Sequence, residues 1–113
     1  MPEQPLELLK GTLDVLILKT LQGGAMHGYG VSRRIRETTG EVFRVEEGAL
    51  YPALRRLEKR GLVEAAWGVT DTGREARFYR LTPAGEAELS SALEGWHRYV
   101  EAMGQVLGAA SET

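Results

Sequence analysis

The chain has 113 residues, a net charge of −2 and no cysteine, and its apolar content of 42% can supply the core of one domain. The lack of cysteine excludes disulfides, thiolate metal sites and thiol catalysis, and no stretch reaches the roughly 18 apolar residues that cross a bilayer. We therefore expect a cytoplasmic protein that does not enter a membrane.

Positive charge is concentrated in the middle of the chain. Residues 28–82 carry eleven Lys or Arg against eight Asp or Glu, whereas residues 83–113 carry one against five. A basic centre followed by an acidic tail is compatible with a nucleic-acid partner, although the acidic total alone argues against one.

The first predicted helix is apolar on more than one side. Its boundaries are Gly11-Thr12 and Gly23-Gly24. The main stripe consists of Leu9, Leu13, Leu16, Ile17 and Leu21, and Val15 and Leu18 lie off it. We expect this helix to be buried against its own core, with a second subunit as a further candidate partner.

The second predicted helix runs from about Gly28 to Thr38 or Thr39 and ends at Gly40, which takes a positive φ freely. Val31 and Ile35, with Gly28 and Thr38, are predicted to face inward, and Arg33 and Arg36 to face out. Before it, His27 is expected to accept a hydrogen bond at the helix start. Tyr29 is expected to pack on the core.

The third predicted helix covers residues 48–60. Pro52 lacks an N–H and is best tolerated in a first turn, so the helix is expected to start near Gly48 or Ala49. Its apolar stripe is Leu50, Ala53, Leu54 and Leu57, and the opposite face carries Arg55 and Lys59, flanked by Tyr51 and Arg56. A charged face of this kind suits a DNA groove but is equally compatible with a solvated surface helix.

A β-hairpin is predicted at residues 62–81. Leu62 to Val69 and Ala76 to Leu81 are rich in aromatic and β-branched residues, and Asp71 and Gly73 supply turn chemistry between them. Arg74 lies at the tip and Arg77 on the returning strand. Two short helices, a basic helix and a hairpin follow the order of a winged helix-turn-helix.

A long helix is predicted over residues 83–108, because Thr82 is a good N-cap and Pro83 suits a first helical position. Its heptad seam is Leu89, Leu93, Trp96, Val100, Met103 and Leu107. A seam of this length predicts pairing with a second copy, and hence a homodimer. Residues 109–113 are predicted to be a frayed tail.

Three motifs, in order, make the chain similar to the PadR family of bacterial transcriptional regulators. They are HGY at 27–29, GALYPALRRLE at 48–58 and RFYRLTPAG at 77–85. The resemblance implies a mainly α fold with a small β-hairpin (α+β), in which residues 1–82 form a winged helix-turn-helix and one C-terminal helix dimerises. One departure is Ala49, where many members carry a hydroxyl-bearing Ser or Thr.

The resemblance also implies contacts with double-stranded operator DNA. The candidate residues are Tyr51, Arg55, Lys59, Arg56, Arg33, Arg36, Arg74 and Arg77. Arg55 and Lys59 are the candidates for the groove, and Tyr51 for a phosphate. Arg56 has an alternative, since it can pair with Glu58 or Glu64 instead.

Members of the family often respond to a small aromatic or hydrophobic effector. The candidate residues here are Trp96, Tyr99, Val100 and Met103. The alternative is that Trp96 simply fills the seam between subunits. No cofactor is expected, and a metal site is not expected with only His27 and His97 as histidines and no cysteine.

We therefore expect a sequence-specific DNA-binding regulator, a dimeric repressor released by a small effector. The alternative is a winged-helix module for protein–protein contact with no specific operator. An enzyme is not expected, because the sequence has no Gly-rich phosphate loop and no nucleophile set beside a base.

Overall fold

The computed structural model describes residues 8–9 and 11–108. The elements are α1 (Leu13–Gln22), β1 (Met26–His27), α2 (Gly28–Thr38), α3 (Glu47–Lys59), β2 (Val63–Val69), β3 (Glu75–Leu81) and α4 (Pro83–Leu107). The predicted mainly helical fold with a small hairpin is confirmed. The predicted tail at 109–113 lies outside the described residues, and the division of the chain at residue 82 stays a prediction.

The sheet has one strand more than the sequence suggested. Its order is β1-β3-β2, and all neighbours are antiparallel. In β1, Met26 pairs with Tyr79 and His27 with Phe78. Two residues are too few for an alternating pattern, so the sequence could not reveal this strand. Because α2 starts at Gly28, β1 attaches the start of that helix to the hairpin.

The core lies between the helices and one face of the sheet. Its fully buried large side chains are Ile17, Leu50, Leu54, Leu57, Leu89, Val31 and Val63. The predicted stripe of α1 needs a correction, because Leu18 is buried whereas Leu9 is 64% exposed. The reason is that α1 starts at Leu13, so Leu9 is not part of it. Thr38 of α2 is also exposed, contrary to its predicted inward position.

Helices α2 and α3 end in the same way. In α3 the N–H of Leu62 donates to the carbonyl of Leu57 and that of Gly61 to Glu58, both at 2.9 Å. This is a Schellman motif, and it requires the positive φ of 75° at Gly61. In α2 the equivalent positive φ belongs to Gly40, as predicted from the sequence.

The start of α3 differs from the prediction. The helix begins at Glu47, with Glu46 as its N-cap, so Pro52 lies in the second turn. Proline removes the bond that residue 52 would donate to the carbonyl of Gly48. Gly48 is exposed, so water can satisfy that carbonyl.

The side chain of Thr82 joins α3, the hairpin and α4. Its hydroxyl donates to the carbonyl of Gly61 at 2.7 Å and accepts from the N–H of Gly85 at 3.0 Å. Its own N–H donates to the carbonyl of Leu62 at 3.1 Å. A Cβ at Gly85 would overlap that same carbonyl, so this approach of α4 to the end of α3 requires glycine.

Helix α4 has two distinct halves. Leu89 is fully buried and Leu93 packs against the core, so both belong to the protomer itself and the predicted dimer seam is wrong at Leu89. The predicted heptad stripe could not distinguish core from interface, because both require apolar residues at the same spacing. Trp96, Val100, Met103 and Leu107 remain exposed. No helix within the described residues is long and apolar enough to span a membrane.

Replacement of Gly85 by alanine should destabilise the protein by about 1–3 kcal/mol or more, because the added Cβ meets the backbone at Leu62. Gly48→Ala is the matched control in the first turn of α3, where a Cβ would meet open space. It should leave stability unchanged or raise it by up to about 1 kcal/mol. Urea denaturation at one protein concentration measures both, and equal stabilities would contradict the proposed close approach.

Candidate nucleic-acid interface

The outward face of α3 presents two exposed cations. Arg55 and Lys59 are exposed on the side opposite the buried Leu50, Leu54 and Leu57. Within residues 8–9 and 11–108, neither has a carboxylate oxygen within 4.0 Å. The cationic face that the sequence suggested is therefore present and available to an anionic partner.

Arg56 lies on the flank of α3 and is held by α1. Its Nη2 donates to Oδ1 of Asp14 at 3.0 Å. The predicted alternative of pairing with Glu58 or Glu64 is wrong, because those carboxylates are bound by Arg77 at 2.9 Å and Arg80 at 2.8 Å. The sequence could not reveal the contact with Asp14, which lies 42 residues away.

The other predicted cations fall into two groups. Arg33 is paired with Glu37 at 2.9 Å, one helical turn away on α2. Arg36, which is half-buried, and Arg74 at the hairpin tip have no carboxylate within 4.0 Å among the described residues. Exposed ion pairs such as that of Arg33 contribute only about 0–1 kcal/mol, so they do not prevent a stronger anion from binding.

Tyr51 connects α3 to the start of α2. A Cβ at Gly28 would lie 2.7–2.9 Å from Cε1, Oη and Cζ of the Tyr51 ring, so the ring covers this glycine. Two residues that belong to separate motifs in the sequence therefore touch each other. Burial and the carboxylate of Glu47, followed by Tyr79, raise the pKa of Tyr51. A phenol is already neutral near pH 7 at its ordinary pKa, so the hydroxyl is able to donate a hydrogen bond.

His27 caps α2 as predicted, since its Nδ1 accepts from the N–H of Gly30 at 3.1 Å. Its ring stacks on Tyr29 at 6.3 Å between centroids and meets Phe78 edge-on at 5.4 Å. Tyr29 is 55% exposed, so the expectation that it packs on the core is wrong. Stacking on His27 holds its ring at the surface instead.

Arg77 fastens the hairpin to α3. Its Nη2 donates to Oε2 of Glu58 at 2.9 Å, and its guanidinium lies 5.8 Å from the centroid of the Tyr79 ring. The hairpin therefore has a defined position beside α3, with Arg77 as a positioning residue for both elements.

The predicted effector residues lie along the exposed half of α4. Trp96 and Tyr99 stack at 5.9 Å between ring centroids, and Val100 and Met103 are farther along the helix. Trp96 also lines an apolar groove of about 650 Å³ between α1 and α4. The groove is lined by Leu9, Thr12, Val15, Leu16, Lys19, Phe43, Leu93, Trp96 and His97. Among the described residues no group of His, Asp or Glu could hold a metal ion.

Residues 17–91 match the profile of the transcriptional regulator PadR-like family. The chain belongs to this family. The family consists of transcriptional regulators, which confirms the prediction of a regulatory protein and not an enzyme. A transcriptional regulator of Mycobacterium tuberculosis is 36% identical over 107 residues, which cover 95% of this PadR-like chain and 94% of that protein.

Solved structures support the same assignment. A transcriptional regulator from Clostridium thermocellum matches this PadR-like chain with a TM-score of 0.79 and 32% identity, over 87% of this chain and 95% of that one. The structure of Bacillus subtilis PadR in complex with operator DNA matches with a TM-score of 0.65 and 28% identity, over 73% of this chain and 46% of that one. The sequence of Bacillus subtilis PadR, which is named a negative transcriptional regulator, is 29% identical over 77 residues. These cover 68% of this chain and 42% of that protein.

Tyr51 should release its proton at a higher pH than an exposed tyrosine, because burial and Glu47 favour the neutral phenol. The difference between the ultraviolet titrations of wild type and Tyr51→Phe isolates this group. Glu47→Gln should reduce the shift without abolishing it. Since the folded state holds the proton more tightly, the stability contributed by Tyr51 is present below the ordinary pKa of a phenol and is lost as the pH rises through the raised value. Proton release by Tyr51 at or below the ordinary pKa of a phenol would contradict this.

Proposed function

We propose that this protein is a dimeric transcriptional repressor that binds a specific DNA operator with α3 in the major groove. The observation that carries the proposal is the pair of exposed cations, Arg55 and Lys59, opposite the buried stripe of α3. Arg55 can bind the O6 and N7 acceptors of guanine with two parallel hydrogen bonds. Lys59, one turn later, can bind either a base edge or a phosphate.

The residues around α3 supply contacts with the DNA backbone. The neutral hydroxyl of Tyr51 can donate to a phosphate oxygen, and Arg74 reaches flanking DNA from the hairpin tip. The pairs of Arg56 with Asp14 and of Arg77 with Glu58 are partly exposed, so both arginines can also attract phosphate. Arg33 and Arg36 of α2 complete the proposed set.

The relatives favour both DNA binding and repression. Bacillus subtilis PadR is named a negative transcriptional regulator. Its structure with operator DNA resembles 73% of the length of the present chain. The match to the family profile covers residues 17–91, which span α2, α3 and the hairpin. As a regulator of chromosomal DNA, the protein would act in the cytoplasm.

The exposed half of α4 supports a homodimer. Trp96, Val100, Met103 and Leu107 are between 40% and 71% exposed in one protomer and lie on one stripe of the helix. An apolar stripe of this length is normally covered, and a second α4 related by a two-fold axis presents a matching stripe. The dimer would place two copies of α3 on two half-sites.

The groove beside Trp96 supports a small apolar or aromatic effector. Its volume of about 650 Å³ falls in the usual range for small-molecule sites, and its lining is mainly apolar. A planar aromatic molecule could stack on Trp96, which already stacks on Tyr99. Repression would then be relieved when such a molecule binds at the junction of α1 and α4.

Arg55→Ala should weaken binding to a selected operator by about 1–3 kcal/mol and relax the preference at one base pair, without a change in thermal stability. Arg98→Ala removes the same charge from the exposed surface of α4 and is the matched control. Fluorescence anisotropy with single-base operator variants measures both effects. If wild type selects no specific duplex from its own fragmented genome, the protein-contact alternative replaces this proposal.

Val100→Asp should convert the dimer to monomers, because the substitution places a charge in the middle of the proposed apolar interface. Arg98→Asp introduces the same side chain on the opposite side of α4 and should remain dimeric. Sedimentation equilibrium distinguishes the two. A dimeric Val100→Asp protein that still binds DNA would disprove the proposed seam.

A planar aromatic effector should quench the fluorescence of Trp96 in a saturable manner. Trp67→Phe removes the second of the two tryptophans, so the remaining emission reports Trp96 alone. Trp96→Phe is the complementary control for nonspecific quenching at Trp67. A broad panel of planar aromatic compounds that gives no saturable change would contradict a site at Trp96.

A further inference from the structure

The hairpin carries a large aromatic side chain that the protomer leaves uncovered. Trp67 is 72% exposed, compared with 40% for Trp96, the other tryptophan. It lies in β2, which is an edge strand because the sheet order is β1-β3-β2. An exposed indole on a strand edge that has no partner strand among the described residues favours association with another molecule. Neither the proposed dimer seam on α4 nor the proposed effector groove includes it.

The strand register shows which way Trp67 faces. Val63 pairs with Leu81, Ala65 with Tyr79 and Trp67 with Arg77. Residues that pair across an antiparallel ladder share a face, as do alternate residues along a strand. Val63 and Tyr79 are buried in the core. Trp67 is therefore on the inner face of the hairpin, beyond the point where the core ends.

That face is also the one beside α3. Arg77, the cross-strand neighbour of Trp67, donates to Glu58 of α3 at 2.9 Å. The guanidinium of Arg77 additionally lies over the Tyr79 ring at 5.8 Å. The pair of Arg77 and Glu58 places this face of the hairpin beside α3, the helix that is proposed to enter a groove, whereas the contact of Arg77 with Tyr79 lies within β3.

The cations on α3 and at the hairpin turn favour an anionic partner for this side of the molecule. Arg55 and Lys59 on α3 and Arg74 after the hairpin turn have no carboxylate within 4.0 Å among the described residues. On the face of Trp67 itself, Arg77 shares its charge with Glu58, and Glu75 is the diagonal cross-strand neighbour. An exposed indole combines an apolar ring with one N–H donor. The DNA backbone offers matching groups, namely apolar deoxyribose faces and phosphate acceptors.

We propose that Trp67 is a further DNA-binding residue of this protein. With α3 in the major groove, the indole packs on deoxyribose of the adjacent backbone and its Nε1–H donates to a phosphate oxygen. This inference rests on the proposed DNA-binding function. The contact reads no base, so it adds affinity for every sequence equally. It neutralises no phosphate charge, which separates it from the contacts made by Arg and Lys.

Equilibrium binding over a series of salt concentrations tests this directly. The probe is a duplex selected from the protein's own fragmented genomic DNA by wild type. Trp67→Ala should lower affinity about five- to thirtyfold, with the slope of log K against log salt unchanged. Trp67→Phe keeps the ring and loses the N–H, so it should have intermediate affinity. Lys59→Ala is the contrasting control, because loss of a phosphate contact should reduce the slope by about one.

A second measurement leaves Trp67 unchanged and so does not depend on the folding of its variants. In Trp96→Phe, Trp67 is the remaining tryptophan of the two, and acrylamide quenching reports its exposure. The selected duplex should reduce that quenching at least severalfold. In the mirrored Trp67→Phe protein, quenching of Trp96 should not change when DNA is added.

The outcomes separate this inference from the function on which it rests. If wild type binds no specific duplex, the proposed function fails and the inference fails with it. If wild type binds but Trp67→Ala binds within twofold and DNA leaves Trp67 open to acrylamide, only the inference is overturned. Protection of Trp67 that grows with protein concentration in the absence of DNA would also overturn it, because β2 would then pair with a second copy.

Discussion

The hydrogen bonds of Thr82 determine where the hairpin and α4 lie relative to α3. Its hydroxyl joins the carbonyl of Gly61, at the end of α3, to the N–H of Gly85, in the first turn of α4. Its N–H also binds the carbonyl of Leu62, so both ends of the hairpin meet at one point. A single nearly buried side chain thereby fixes three elements, and the spacing between α3 and the wing depends on it. The close approach leaves no room for a side chain at Gly85.

The distribution of carboxylates explains how an acidic protein can present a cationic helix. Asp14 and Glu58 hold arginines on the two flanks of α3, namely Arg56 and Arg77, whereas Arg55 and Lys59 at its centre have no such partner among the described residues. Flanking ion pairs position α3 against α1 and the hairpin, and they leave the charge concentrated on the face that points outward. The net charge of −2 is therefore a poor guide to the local field at this surface.

Helix α4 connects the proposed dimer to the proposed DNA-binding surface. Its first half belongs to the core through Leu89, and its second half leaves the core with an apolar stripe exposed. The groove between α1 and α4 is also bordered by Phe43, which lies in the connection from α2 to α3. A molecule bound in this groove would touch α4, the helix proposed to dimerise, and the segment leading into α3 at the same time. Binding at the proposed effector site would therefore change the distance between the two α3 helices of the proposed dimer.

The sequence by itself determined the features that depend on local chemistry. Periodicity placed the buried stripe of α3, Gly40 marked the end of α2 because glycine takes a positive φ, and Thr82 and Pro83 marked the start of α4. Contacts between distant residues were decided by the tertiary structure alone. Leu89, which was predicted to lie in the dimer interface, is in the core of the protomer. Arg56 pairs with Asp14, and the two-residue strand β1 pairs with β3. The reason is that periodicity shows which residues form an apolar face, whereas the residues that cover that face belong to elements far away in the chain. For the same reason the exposure of Trp67 became visible only when the edge position of β2 was known.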